Sequence, residues 1–263
     1  MFKHNVIRYS LFLLISFLLI VVFGFLFIFP QVVRCYTINL SADFSKQEGG
    51  VYISEGAGAE QTSSLLALLK KSRQRLAGFW GSMQSEPTII FCHTEELYRK
   101  YGSISGSPAN YFGTPLGTYV VISPQGLNVD VLSHEMCHAE LTQRVGWFTM
   151  SRKVPQWFNE GIALMVDYRY PDNGMDNTYE NYQRKWQRTS LQGQIKISLQ
   201  DIESVETFYK GDAFWINLAY LRSGLEVSRW LAKVEQQGLL ELTQALQNGA
   251  SFEEAWTRTM NND

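Results

Sequence analysis

The chain has 263 residues, of which 45% are hydrophobic and 18% charged, the make-up of a folded domain with room for an appendage and not of a disordered polymer. Its formal net charge of -2 supplies no basic field to hold a nucleic-acid backbone, so no nucleic-acid partner is expected. Neither a glycine-rich phosphate loop nor an internal repeat occurs, which removes the common nucleotide-binding and solenoid classes.

The first element is apolar. Residues 11–29, LFLLISFLLIVVFGFLFIF, carry no charge and Ser16 as their one polar residue. At about 1.5 Å per residue a helix of that length spans about 28 Å, close to the hydrocarbon thickness of a bilayer. Lys3 and Arg8 precede it and Arg34 alone follows, which places the N-terminus in the cytoplasm. The following FPQVVRC lacks a small-x-small cleavage site, and Arg34 stands where a lipoprotein needs a small residue. The expectation is an uncleaved signal anchor, with cleavage as the lesser alternative. Residues 1–35 would form the cytoplasmic N-terminus and transmembrane anchor. Residues 36–263 would form one domain facing the periplasm or the cell exterior.

Residues 60–79 set Leu65, Leu69, Ser72, Leu76 and Phe79 on one face, the spacing of an amphipathic helix. TIIFC (88–92) reads as a strand, and Thr94 caps a short helix with Glu95 and Glu96 in its first turn. Residues 102–118, rich in Gly, Ser and Pro, read as a long irregular loop, either filler or a flap over a substrate. YVVIS (119–123) is the next strand. A helix is expected from near Asn128 or Asp130 to about Arg144, stopped by Gly146. A second opens with Pro155 in its first turn and runs to about Tyr168. Beyond the break PDNG (171–174) helical segments alternate with polar connectors, and Ser251 with Glu254 forms a capping-box pattern. The fold class read from this order is α+β: a small mixed sheet packed on two helices, then a mostly helical C-terminal half.

Three cysteines, Cys35, Cys92 and Cys137, are too few for a disulfide framework. Half of the four histidines fall in one motif, HEMCH at 134–138. A pattern H-E-x-x-H occurs by chance in roughly one chain of this length in a hundred, so context decides its meaning. On a helix, His134 and His138 at i, i+4 share a face and can reach one metal ion, with Glu135 beside them. A third ligand is offered by VPQWFNEGIA, in which Glu160 follows His138 by 22 residues on the next helix. Cys137 points about 100° away from His138 and reads as a packed thiol, not a fourth ligand. Asp167, two turns beyond Glu160, is placed to orient a ligand imidazole.

H-E-x-x-H followed by WFNEGIA resembles the gluzincin metallopeptidases. The flanks VISPQGLNVDVLSHEMCHAELTQRVG and VPQWFNEGIALMV are similar to the small peptidase-MA-like domains of bacteria. The resemblance spans roughly residues 86–260, its specific part residues 118–168. It implies zinc held by His134, His138 and Glu160, and Glu135 as the general base that passes a proton from the attacking water to the leaving amine. It implies too an extended peptide or protein substrate bound beside the strand at 118–123, read as a sheet edge.

A tyrosine that stabilises the tetrahedral intermediate is implied as well. Tyr209 in FYKGDAFWINLAYL is the candidate, with Tyr220 behind it, although Tyr209 stands one residue nearer the glycine than the aminopeptidase branch has it. The G-x-M-E-N segment of that branch has no counterpart, so an aminopeptidase is not inferred. Thermolysin-like relatives carry an acid four residues after the third ligand, where this chain has Leu164. The function expected is therefore a membrane-anchored zinc peptidase. The alternative is a peptidase-like domain without turnover, acting as an envelope binding or scaffold module. Substrate identity, endo- or exopeptidase action and oligomeric state are not legible.

Overall fold

The computed structural model describes residues 12–13, 16–17, 24, 27–102, 106–170 and 176–261. Helix α1 (Pro30–Tyr36) is followed by strands β1 (Phe44–Lys46) and β2 (Val51–Ser54), helix α2 (Ala59–Trp80), β3 (Thr88–Phe91), α3 (Glu95–Tyr101), β4 (Ala109–Thr114) and β5 (Gly117–Ile122). The rest is helical: α4 (Val129–Val145), α5 (Trp147–Lys153), α6 (Gln156–Leu164), α7 (Tyr179–Thr189), the short α8 (Val205–Phe208), α9 (Ala213–Gln247) and α10 (Phe252–Met260). The fold is mixed α+β, a five-stranded sheet with a mostly helical C-terminal half, as the order of sequence patterns indicates.

Strand order is β1-β2-β3-β5-β4. β2, β3 and β5 run parallel, and β1 and β4 lie antiparallel at the two edges. Because successive side chains point to opposite faces, Val51, Ile53, Ile89, Phe91, Val120 and Ile122 all fall on one side, where α2 and α4 cover them. Tyr52, Ile90, Tyr119 and Val121 fall on the other and pack with Cys35, Tyr98 and Tyr101 of α1 and α3. Burial on both faces is why TIIF and YVVI are continuous apolar runs without alternation.

Helix α2 buries Leu65, Leu69, Ser72, Leu76 and Trp80, so the expected stripe holds except that Trp80, not Phe79, closes it. Thr94 caps α3 by accepting from Leu97 N, Asn128 caps α4 by accepting from Asp130 N, and Ser251 with Glu254 forms the capping box of α10.

Several expectations are corrected. Among the described residues no helix is long and apolar enough to cross a membrane. The transmembrane signal anchor, and the periplasmic or extracellular placement drawn from it, are therefore withdrawn; most of residues 11–29 lie outside the described residues. The folded body also begins before residue 36: Cys35 is fully buried and Arg34 Nη1 donates to Lys100 O at 2.7 Å. The segment 102–118 is not a plain loop, since it contains β4. Strand β5 is not a sheet edge, because β4 pairs with it from Ala109↔Ile122 to Thr114↔Gly117. Pro155 precedes α6 as its N-cap, and a separate helix, α5, lies between the stop at Gly146 and Pro155.

A buried carboxylate fixes α4 against the end of α2. Glu140 is fully buried and accepts from Ser85 N at 2.8 Å and Gln84 N at 3.0 Å. It also accepts from Arg144 Nε at 2.8 Å, and Arg144 Nη2 donates in turn to Ser82 O at 2.7 Å. Glu140→Ala leaves Arg144 and two peptide groups without their acceptor, and an expected loss of about 3–5 kcal/mol follows. Urea unfolding checks it, and a loss below about 1 kcal/mol contradicts the assignment.

Candidate metal centre

The site is built where α4 meets α6. Both HEMCH histidines lie on one face of α4, each 6% exposed, with ring centroids 4.9 Å apart. Helix α6 brings Glu160, 4% exposed, to the same point. It can do so because the next residue has no side chain: a Cβ at Gly161 would stand 2.5 Å from Val227 Cγ2 and 2.8 Å from Ser223 O. The glycine of NEGIA therefore lets α6 lie directly on α9.

His134, His138 and Glu160 each offer one ligand atom, all within 4.8 Å of one another, and this buried group could hold a metal ion. Glu160 Oε2 lies 3.3 Å from His134 Nε2 and 3.7 Å from His138 Nε2. Its other oxygen, Oε1, accepts from Gln156 Nε2 at 2.7 Å and Tyr209 Oη at 2.9 Å. The carboxylate is thus held by Oε1, while Oε2 is buried without a hydrogen-bond donor. An orphaned buried oxygen facing two imidazole nitrogens is costly in a purely structural cluster and is what a cation between them would satisfy.

On the far side one ring nitrogen is held by a hydrogen bond and the other only faces a carboxylate. His138 Nδ1 lies 2.7 Å from Asn159 Oδ1; an amide oxygen only accepts, so Nδ1 carries the proton and Nε2 keeps its lone pair. His134 Nδ1 lies 3.2 Å from Asp167 Oδ2, and Asp167 is gripped by Arg169 through Nε at 2.8 Å and Nη2 at 2.5 Å. Asp167 thus stands beside the His134 ring, though Nδ1 makes no well-formed hydrogen bond to it. Asn159→Ala should lower metal affinity about 10- to 100-fold, read by competition with a chromogenic chelator. An unchanged affinity would show that Asn159 does not orient the ring.

Burial lowers the His138 pKa to about 4, so the ring is neutral and able to donate its lone pair. At His134 burial also works downward, but Asp167 and Glu160 outweigh it and raise the pKa to about 10. Burial opposes the charge of Glu160, yet His138, His134 and the Tyr209 hydroxyl together hold its carboxyl below the ordinary range. Burial raises Glu135, partly exposed beside the group, to about 7. Among the described residues no donor hydrogen-bonds the Glu135 carboxylate.

His134, His138, Glu160, Asp167 and Tyr209 come together here. Tyr209 reaches Glu160 directly, and its hydroxyl lies 3.1 Å from that of Tyr220. Cys137 is buried with its Sγ 3.8 Å from Ile162 O, outside the group. His93 is not a ligand and bonds Ser54 Oγ through Nδ1 at 2.7 Å; His4 lies outside the described residues. Three participants carried no assigned role in sequence: Asn159, Gln156 and Tyr111 of β4, whose ring lies 5.6 Å from that of His138. Asn159 stands inside the quoted segment next to Glu160. Tyr111 gave no signal, because its contact spans the sheet edge and α4. A cavity of about 460 Å³ opens beside the group between β4, α5 and α6, with Tyr111, Gly113, Trp147, Gln156 and Asn159 among its walls.

No family model matches the chain, and neither the curated proteins nor the solved structures contain a match. What the fold and site define is an α+β protein with a buried group of two histidines and a glutamate suited to a metal ion.

Proposed function

We propose that this chain is a zinc-dependent peptidase that hydrolyses peptide bonds. The observation that carries the reading is the convergence of His134 Nε2, His138 Nε2 and the orphaned Glu160 Oε2 beside a Glu135 carboxylate that no described donor occupies. Ligand atoms on a tetrahedral ion with bonds of about 2.0–2.1 Å sit about 3.3 Å apart, and the separations of 3.3 and 3.7 Å here are close to that. Two imidazoles and a carboxylate suit zinc, His134 giving up its proton when the ion binds, and three protein ligands leave one position open, the pattern of a catalytic site.

When bound, zinc supplies a Lewis acid for a carbonyl oxygen and makes water acidic enough to attack near neutral pH. Glu135 takes the proton of the attacking water and delivers it to the leaving amine. The Tyr209 hydroxyl, shared between Glu160 and Tyr220, is placed to turn toward the oxygen on which charge develops. Asn159, Asp167 and Gln156 position the ligands. The substrate lies extended, but along β4 and not along residues 118–123, because β5 is covered on both sides. Main-chain pairing to an edge strand gives affinity with little sequence preference.

The test is a quenched fluorescent peptide library incubated with the purified chain, with the chain stripped by chelator, and with stripped chain given zinc again. Cleavage that disappears on stripping and returns with zinc is the expected outcome. Cleavage indifferent to stripping, or none in the zinc-loaded protein, would remove the peptidase reading.

A further inference from the structure

Strand β4 is the outer strand on the side of the metal group. Ser123 N donates to Pro108 O at 3.0 Å, and the register pairs Asn110 with Val121, Phe112 with Tyr119 and Thr114 with Gly117. Hydrogen-bonding direction alternates along a strand, so Asn110, Phe112 and Thr114 turn their peptide groups to β5. Ala109, Tyr111 and Gly113 turn theirs outward. Of these, Tyr111 is the one fixed next to the metal group: its ring lies 5.6 Å from that of His138 and its hydroxyl donates to Thr142 Oγ1 at 2.7 Å.

One outward group is already taken. Trp147, the first residue of α5, donates from Nε1 to Gly113 O at 3.0 Å while remaining 38% exposed. A large indole left half in water to make one bond at a strand edge is an arrangement that core packing does not require. The same Trp147 and Gly113 stand with Tyr111 in the wall of the cavity beside the metal group. An extended segment that adds to β4 therefore finds both peptide groups of Tyr111 without a partner among the described residues, and at Gly113 meets the indole instead of a carbonyl.

We propose that Trp147 is a specificity-determining residue that, by holding the Gly113 carbonyl, ends strand addition along β4 just beyond Tyr111 and limits the length of peptide the edge can pair. This rests on the peptidase reading for its purpose, though the pairing itself does not depend on turnover. The probe is a ladder of capped, fluorophore-labelled Thr-Val repeat peptides of about four to eight residues, chosen for strand propensity. Anisotropy is read on the zinc-loaded Glu135→Gln protein with and without Trp147→Phe, which keeps a ring and removes the donor. With Trp147 present, affinity should stop rising beyond the shortest peptides. With Trp147→Phe, the longest should bind about five- to tenfold tighter, the worth of one recovered main-chain hydrogen bond, and the shortest should be unchanged.

The same length dependence in both proteins overturns the proposal, as does failure of every peptide to bind. Self-association of Trp147→Phe with unchanged peptide affinity also overturns it, since the indole would then only shield an edge from other copies. Failure is distinguishable from failure of the peptidase reading. Length-limited binding without hydrolysis by the parent chain removes only that reading, and hydrolysis with no effect of Trp147→Phe removes only this one.

Discussion

On the proposed peptidase reading, Glu135→Gln should keep the metal and lose peptide hydrolysis by about 10²- to 10⁴-fold, the range that a positioned general base contributes. The expectation follows from where the residue stands. It sits one position after His134 on α4, is partly exposed, and makes no hydrogen bond among the described residues. Glutamine has nearly the same shape and removes only the ability to take a proton. His134, His138 and Glu160, with their own supports in Asp167, Asn159 and Gln156, are untouched. Bound metal measured by mass spectrometry and kcat measured on a cleaved library peptide separate the two effects. If the chain is a binding module without turnover, parent and variant behave alike in every assay.

The second large effect is thermal. In the metal-free chain Glu160 Oε2 is buried with no donor, and Glu135, Glu160 and Asp167 crowd around two imidazoles. A cation that binds the folded state and not the unfolded one stabilises by about 4 kcal/mol at a thousandfold excess over its Kd. For a chain of this size that corresponds to a rise in Tm of about 8–16 °C. The rise should be absent in His138→Ala, which removes one ligand from the folded site. Differential scanning calorimetry of stripped protein, with and without zinc, checks it. A shift of the same size in His138→Ala would place the stabilising ion elsewhere.

The group of His134, His138 and Glu160 was legible because its signals are local. Two histidines four apart need only a helix to meet, and the helix was marked by Asn128 at one end and Gly146 at the other. Glu160 needed one further inference, that α6 returns onto α4, and NEGIA carries the glycine that lets α6 seat against α9. What escaped is non-local. The strand character of β4 comes from pairing with β5, whereas its flanks are full of Gly, Ser and Pro and read as loop. Reading β5 as an edge failed for the same reason. Glu140 lies two residues past His138 and is as acidic as any ligand, but its partners are peptide groups at Gln84 and Ser85 that no spacing rule points to. The membrane anchor was drawn from apolar length, flanking charge and the missing cleavage site, and no described helix has the length and apolarity to cross a bilayer.

The measurement that tests the central claim most directly is the metal content of the purified chain after reconstitution with zinc, beside His138→Ala treated identically. One zinc per chain in the parent and none in the variant is the predicted result. No bound zinc in the parent, or equal zinc in both, would mean that His134, His138 and Glu160 are not a metal site.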